Sequence, residues 1–248
     1  MIYLKSKEQI GYMRQANEIV RDTLNLVEEH IKPGVSTYEL NVLADEYIRR
    51  RNAIPSFLNY EGYPASICVS VDEEVVHGIP SKSRILQEGQ IVSVDIGSIF
   101  NGWQGDAART FAVGNISKEK QQLIDVTKQS FFEAVKVIGP NSRLGDIGNA
   151  ISSYVERFGY GVVRELVGHG IGREMHESPE VPNYGRAGHG LRLEKGLTIA
   201  IEPMITMGRR EVVFLPDGWT VKTMDGKPAA HYENTIAIGE NGVEILSL

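Results

Sequence analysis

The chain has one cysteine, Cys68, among its 248 residues. No intrachain disulfide can form, which fits a reducing compartment. It also lacks any run approaching the roughly 18 consecutive apolar residues that a membrane-spanning helix needs. Its first residues, MIYLKSKEQIGYMRQ, are charged and helix-like and carry no apolar stretch of the kind a secretory signal requires, so the expected setting is cytoplasmic. An excess of positive charge is absent too. Lys and Arg number 26 against 32 Asp and Glu, a net charge of -6, so there is no basic surface bias toward nucleic acid. What is present, 42% hydrophobic and 23% charged residues, suits a globular protein long enough to bury a sizeable core.

The pattern along the chain predicts an α+β protein. Ser6-Lys7-Glu8-Gln9 and Ser36-Thr37-Tyr38-Glu39 read as helix capping boxes. Ile10, Met13, Ile19, Val20, Leu24, Val27 and Ile31 follow the first at mostly helical spacing, up to the break at Lys32-Pro33-Gly34; Leu40, Leu43, Ala44 and Ile48 follow the second. Strand patterns come next, at Ser66 to Val71 and Gln90 to Ile96. The order then recurs: a helix over roughly 118–138 that breaks at Gly139-Pro140, a shorter one carrying Leu144, Ile147, Ile151, Val155 and Phe158, and strands near Thr198 to Ile201, Val212 to Leu215 and Tyr232 to Ile238. Shifting the chain by 107 residues lays Pro33 on Pro140, Tyr47 on Tyr154 and Asp95 on Glu202. The expectation is a single domain over 1–248 built from two related α+β halves, roughly 7–114 and 117–242, without a Pro/Gly/Ser-rich linker between them.

The strand IVSVDIGSIF carries Asp95, and past the Asn101-Gly102 turn comes Asp106, so a hairpin would bear a carboxylate on each strand. Acidic residues are poor strand formers and cost free energy when buried without compensation. If the halves pack about a pseudo-two-fold axis, Asp95 approaches Glu202, with Asp106 and Glu233 as their partners on neighbouring strands. Four converging carboxylates repel one another, and divalent cations remove that problem. The stretch LVGHGIGREMHESP supplies histidines, His169 between glycines and His176 seven residues on. Taken singly each residue has a plain reading: a turn aspartate, a strand-exit glutamate, an edge-strand charge, a turn histidine at His77. Their register on equivalent strands argues against that for the set. Alternation places His231 on the same strand face as Glu233, beside the ligands. His30 sits near a helix C-terminus and His189 in a Gly-rich loop, and neither receives a role.

With CVSVDEEVVHGIP, VDIGSIFNGWQGDAARTF, GHGIGREMHESP, IAIEPM and YENTIAI in place across essentially the whole chain, the sequence resembles the type I methionine aminopeptidases, metallopeptidases of the pita-bread fold. The resemblance implies two pseudo-two-fold-related halves around a central antiparallel sheet flanked by helices. It implies five metal ligands, Asp95, Asp106, His169, Glu202 and Glu233, with Asp106 and Glu233 bridging two divalent ions (Co, Mn, Fe, Zn or Ni). Glu202 is then also the proton acceptor, and His77 and His176 are active-site histidines that do not bind metal. The methionine pocket falls on Tyr60, Tyr63, Cys68, Met175 and Trp219, with Phe57 nearby; Phe57 and Met175 depart from residues found there in some members. The implied partners are N-terminal Met peptides and nascent chains with a small second residue, met transiently at the ribosome by a monomer, with no specific nucleic acid and no membrane. Two rivals share the fold. An Xaa-Pro aminopeptidase or prolidase usually carries an extra N-terminal domain, whereas this sequence starts directly with the first long helix. A non-catalytic peptide-binding module would be expected to have lost ligands, and all five are present.

Overall fold

The computed structural model describes residues 2–240 and 242–248. Helices α1 (Lys7–His30) and α2 (Thr37–Arg50) begin where the serines cap them. The Ser6 and Ser36 hydroxyl oxygens accept from the Gln9 and Glu39 N–H, and the Gln9 and Glu39 side chains accept from the cap residues' N–H. These reciprocal bonds satisfy donors that a helix start otherwise leaves idle. Strands β1 (Ile54–Pro55), β2 (Ile67–Val71) and β3 (Glu74–Val76) precede two ten-residue strands, β4 (Ile91–Phe100) and β5 (Trp103–Ala112). The turn between them has φ of 51° at Asn101 and 75° at Gly102. Positive φ at both centres is the I′ geometry whose twist matches that of the flanking strands.

The second half opens with α3 (Lys118–Lys136) and α4 (Leu144–Val155). Phe158, expected on the fourth helix, lies instead in a 3₁₀ turn beyond its end. Ten short strands follow: β6 (Gly161–Val162), β7 (Gly168–Gly170), β8 (Glu177–Val181), β9 (Thr198–Ile201), β10 (Met204–Thr206), β11 (Val212–Phe214), β12 (Val221–Thr223), β13 (Ala229–His231), β14 (Asn234–Ile238) and β15 (Val243–Ile245). The strand expected over Tyr232 to Ile238 thus begins at Asn234, and His231 closes a separate strand. β13 pairs with β10, whereas β14 pairs with β9 and β15. The chain changes sheets at Tyr232-Glu233, so His231 and Asn234 belong to different strands rather than to one continuous strand.

The core is double. Ile19, Val20, Leu24, Leu40 and Ile48 from the first helix pair pack on Ile67, Val69, Val92, Val94 and Ile96. Leu123, Phe131, Ile147 and Ile151 from the second pair pack on Ile199, Ile201, Ile205 and Ile236. Pairing is antiparallel within β2-β4-β5 and within β15-β14-β9-β7-β8. The two sheets meet at one seam, where Ala108 and Glu233 exchange N–H···O bonds of 3.3 and 2.9 Å.

Candidate metal centre and substrate pocket

Backbone register brings the acidic residues together. In the β4–β5 hairpin Asp95 lies opposite Ala108, and Asp106 lies opposite Gly97. Residues two apart on a strand share a face, so both carboxylates project from the same side. Across the seam Ala108 is paired with Glu233. β9 ends at Ile201, opposite Asn234, so Glu202 and Glu233 follow side by side. His169 comes from β7, which neighbours β9. Gly97 keeps the hairpin close to what covers it: a Cβ there would stand 2.8–2.9 Å from Phe57, Ser56 and Met175. Gly168 and Gly170 admit close neighbours too, and these are backbone carbonyls, Ala200 at 2.4 Å and Ser178 at 2.4 Å.

The resulting cluster is dry and crowded. Asp106, His169 and Glu233 are 4%, 8% and 2% exposed. His169 Nε2 lies 3.6 Å from both Asp106 Oδ2 and Glu202 Oε1. Its Nδ1 is 2.9 Å from the Gly170 carbonyl oxygen, so the Nδ1–H donates there and Nε2 presents its lone pair to the carboxylates. Asp95 Oδ1, Asp106 Oδ1 and Glu233 Oε1 are buried without a hydrogen-bond partner. Burial first, and then the neighbouring Asp106 charge, push the carboxyl groups of Asp95, Glu202 and Glu233 well above their usual range. Burial pushes Asp106 up to about 8. It lowers His169 to about 4, which leaves a neutral imidazole, the form that binds metal. Orphaned buried oxygens and like charges in contact are an unfavourable arrangement that divalent cations relieve. Oxygen-rich donors with an imidazole suit the harder divalent transition metals, so these residues fit such ions.

The other proposed residues border a cavity of about 200 Å³ that holds this cluster at its base. Phe57, Tyr60, Tyr63, Cys68, His77, His176 and Trp219 line it with Asp95, Asp106, His169, Glu202 and Glu233. Tyr63 and Trp219 pack edge to face at 5.1 Å, and the Tyr63 hydroxyl donates to the Gly78 carbonyl at 2.9 Å. The Tyr60 Oη and His176 Nδ1 are 2.7 Å apart, and the His176 ring stands 4.3 Å from that of His169. Burial lowers both His77 and His176 to about 4. His77 has a φ of 59°, a conformation that costs a non-glycine residue free energy and is found concentrated at functional sites.

Some residues stand elsewhere than the sequence suggests. Met175 does not line the cavity. It is 2% exposed, in a cluster with Met13 and Trp103 against which Phe57 and Tyr60 pack. His231 is on a different strand from the one that follows Glu233, yet its Nε2 lies 3.7 Å from Glu233 Oε2 and 3.8 Å from Glu202 Oε2. His30 is exposed and bonded to the Leu26 carbonyl; His189 is exposed. Sequence reasoning missed Glu61, Val76, Leu166, Val167 and Met204, which also line the cavity. Each is one to three residues from a chosen one, so flanking positions were the available signal.

The profile of metallopeptidase family M24 matches residues 11–240. The methionine aminopeptidase of Clostridium acetobutylicum is 59% identical over 248 residues, covering 100% of this chain and 99% of that protein. The crystal structure of methionine aminopeptidase from Rickettsia prowazekii superposes with a TM-score of 0.98 at 42% identity, covering 100% of both chains. A prolidase from Pyrococcus furiosus gives 0.75 at 21% identity, covering 99% of this chain and 65% of that one.

Proposed function

The chain belongs to metallopeptidase family M24, with the pita-bread fold, and we propose that it removes the N-terminal methionine from peptides and nascent chains whose second residue is small. The observation that carries this is the meeting of four carboxylates and an imidazole, donors of the kind that hold divalent metal, with the aromatic side chains of Phe57, Tyr60, Tyr63 and Trp219 around one cavity of about 200 Å³. The prolidase likeness, at 21% identity, is one of fold alone, so the Xaa-Pro rival draws no support beyond the shared architecture. The whole chain is one catalytic unit in this reading, a cytoplasmic monomer that meets nascent chains transiently at the ribosome. Among the described residues no helix is long and apolar enough to cross a membrane.

The family uses divalent metal. We read Asp95, Asp106, His169, Glu202 and Glu233 as the residues that would hold a pair of divalent ions. Ions in such a pair lower the pKa of a bound water toward 7 and polarise a carbonyl group. The protein's own groups do the rest. The walls formed by Phe57, Tyr60, Tyr63, Cys68 and Trp219 hold the methionine side chain and exclude water. Glu202 accepts a proton from the attacking water and passes it to the leaving amine. The Tyr60 hydroxyl and His176 Nδ1 are hydrogen-bonded, and in the tautomer in which the hydroxyl donates, His176 would carry its proton on Nε2 and donate to the carbonyl oxygen as charge develops there. His77, on the cavity wall, would contact the scissile amide nitrogen or the backbone of the leaving residue.

Cleavage of Met-Ala-Ser against Ala-Pro-Ala, with Co, Mn, Fe, Zn and Ni supplied in turn, tests the reading. Release of methionine from the first peptide is expected. Equal or faster release of alanine from the second would transfer the chain to the Xaa-Pro rival, and no hydrolysis with any metal would favour a non-catalytic module.

A further inference from the structure

We propose that His231 is a sixth metal ligand, so that each of the two metal positions has one imidazole; the inference rests on the two-metal reading above. Two triads among the described residues have ligand atoms that all lie within 4.8 Å of one another. One is Asp106, His169 and Glu233; the other is Asp95, His231 and Glu233. They share Glu233 and are otherwise distinct, each an aspartate, a histidine and the common glutamate. His231 faces its carboxylates as His169 does. His169 Nε2 is 3.6 Å from two carboxylate oxygens, and His231 Nε2 is 3.7 and 3.8 Å from two others. These separations are too long for hydrogen bonds. They match donors placed about a common ion, since ligand atoms at about 2.0–2.2 Å from a metal stand roughly 3–4 Å from each other.

His231 has no other employment. It is 2% exposed, and neither ring nitrogen has a hydrogen-bond partner among the described residues. A buried imidazole idle at both nitrogens is a costly feature that calls for an explanation. Its backbone is held on both sides by Thr110, whose hydroxyl oxygen accepts from the His231 N–H at 2.9 Å and donates to the His231 carbonyl at 2.8 Å. That grip keeps the residue at the centre although β13 ends there. The offset of 107 residues that lays Asp95 on Glu202 has no counterpart for His231, so the second imidazole is invisible to any argument from the repeat.

The test loads the full chain with cobalt(II) alone and counts imidazoles per cobalt by X-ray absorption, together with a cobalt titration followed by calorimetry. Wild-type protein with two equivalents bound is expected to show about one imidazole per cobalt. His231→Gln should show about half that, and its weaker site should lose at least the 10–100-fold in affinity that even an outer partner of a ligand costs. A wild-type value of one imidazole for two cobalts overturns the proposal without any variant. So does a His231→Gln protein whose imidazole count is unchanged while affinity falls, the outcome for a residue that only hydrogen-bonds Glu202 or Glu233. Binding of a single cobalt defeats the two-metal reading separately. Two imidazoles on that one ion would still retain His231 as a ligand, and one would remove it.

Discussion

The base and the wall of the cavity obey opposite rules. The base gathers Asp95, Asp106, Glu202 and Glu233 around His169, with three carboxylate oxygens buried and unpartnered. The wall sets Tyr63 against Trp219 and Tyr60 against His176, with their polar atoms satisfied or exposed. The wall is built on buried Tyr63 and Cys68 with half-buried Phe57 and Trp219 packed against them, so its contacts stabilise the fold as they shape the pocket. The base weakens the fold that carries it. Function and stability should therefore move together at the wall and apart at the base.

The sharpest test is Asp106→Asn. The substitution keeps the side chain's size and removes one charge from a buried like-charged set. Turnover at saturating metal should fall between about 10⁴- and 10⁶-fold, the range for losing a member of a catalytic unit. Thermal unfolding of the metal-free variant should occur at the wild-type temperature or above it, because repulsion is relieved. Near wild-type turnover would break the two-metal assignment; a large loss of metal-free stability would break the contrast between base and wall.

The same contrast has a pH dependence. The folded protein holds the base carboxyls above their usual range, Asp106 at about 8 against an ordinary 3.8. Between those values the folded state binds protons that the unfolded chain has lost. The stability of the metal-free protein therefore falls as pH rises from about 4 to about 8, by up to about 1.4 kcal/mol per unit for one such proton. Divalent metal binds the deprotonated groups, so its stabilising effect should grow over the same window. Scanning calorimetry at pH 5 and pH 8, with and without metal, reads both trends. A metal-induced shift that is larger at pH 5 would reverse the sign and defeat the account.

The two close-packed histidines should separate next. His169→Ala removes a base ligand and should lower metal content. His176→Ala removes a donor to the developing oxyanion and should keep metal content while costing about 10²–10³-fold in kcat. Metal analysis of the two variants decides the matter, and equal loss from both would merge the roles assigned to them.

How much of this was legible depends on how far order extends along the chain. The helices announce themselves through Ser6, Ser36 and regular apolar spacing. The ligand hairpin does so through two long strands and an Asn-Gly turn, and there alternation alone places Asp95 and Asp106 on one face. The second half offers strands of mostly two to five residues, too short to carry a period. Glu202 falls just after such a strand and Glu233 just before another, so the repeat and the family resemblance, rather than local pattern, pointed to them. Alternation put His231 beside the ligands, where it lies, but through a single strand that the break at Tyr232-Glu233 divides in two. The Tyr60–His176 contact joins residues 116 positions apart and has no local signal at all. Met175 was a pocket residue by family resemblance alone, and its side chain packs in the Met13–Trp103 cluster.

The smallest expected effect belongs to the wall, and it concerns which residue is removed. A slot bounded by Tyr60, Tyr63, Cys68 and Trp219 suits an unbranched thioether, whose sulfur gains aromatic contacts of roughly 0.3–1.5 kcal/mol. Leucine, branched near its end, fits such a slot less well. Alanine leaves a void and forfeits about 0.8 kcal/mol for each missing methylene-sized group, roughly 2.4 kcal/mol over three of them. That corresponds to between about ten- and a hundred-fold in kcat/KM. Peptides beginning Met-Ala or Met-Gly should accordingly be cut at least about tenfold better than those beginning Leu-Ala or Ala-Ala. The ratio should shrink in Trp219→Ala, because the lost indole widens the slot and removes the edge-to-face partner of Tyr63. That variant should also unfold at a lower temperature than wild type, in contrast to Asp106→Asn, since at the wall shape and stability rest on the same contacts. A Trp219→Ala protein that keeps both its thermal stability and its preference for methionine would show that the wall is not what selects the side chain.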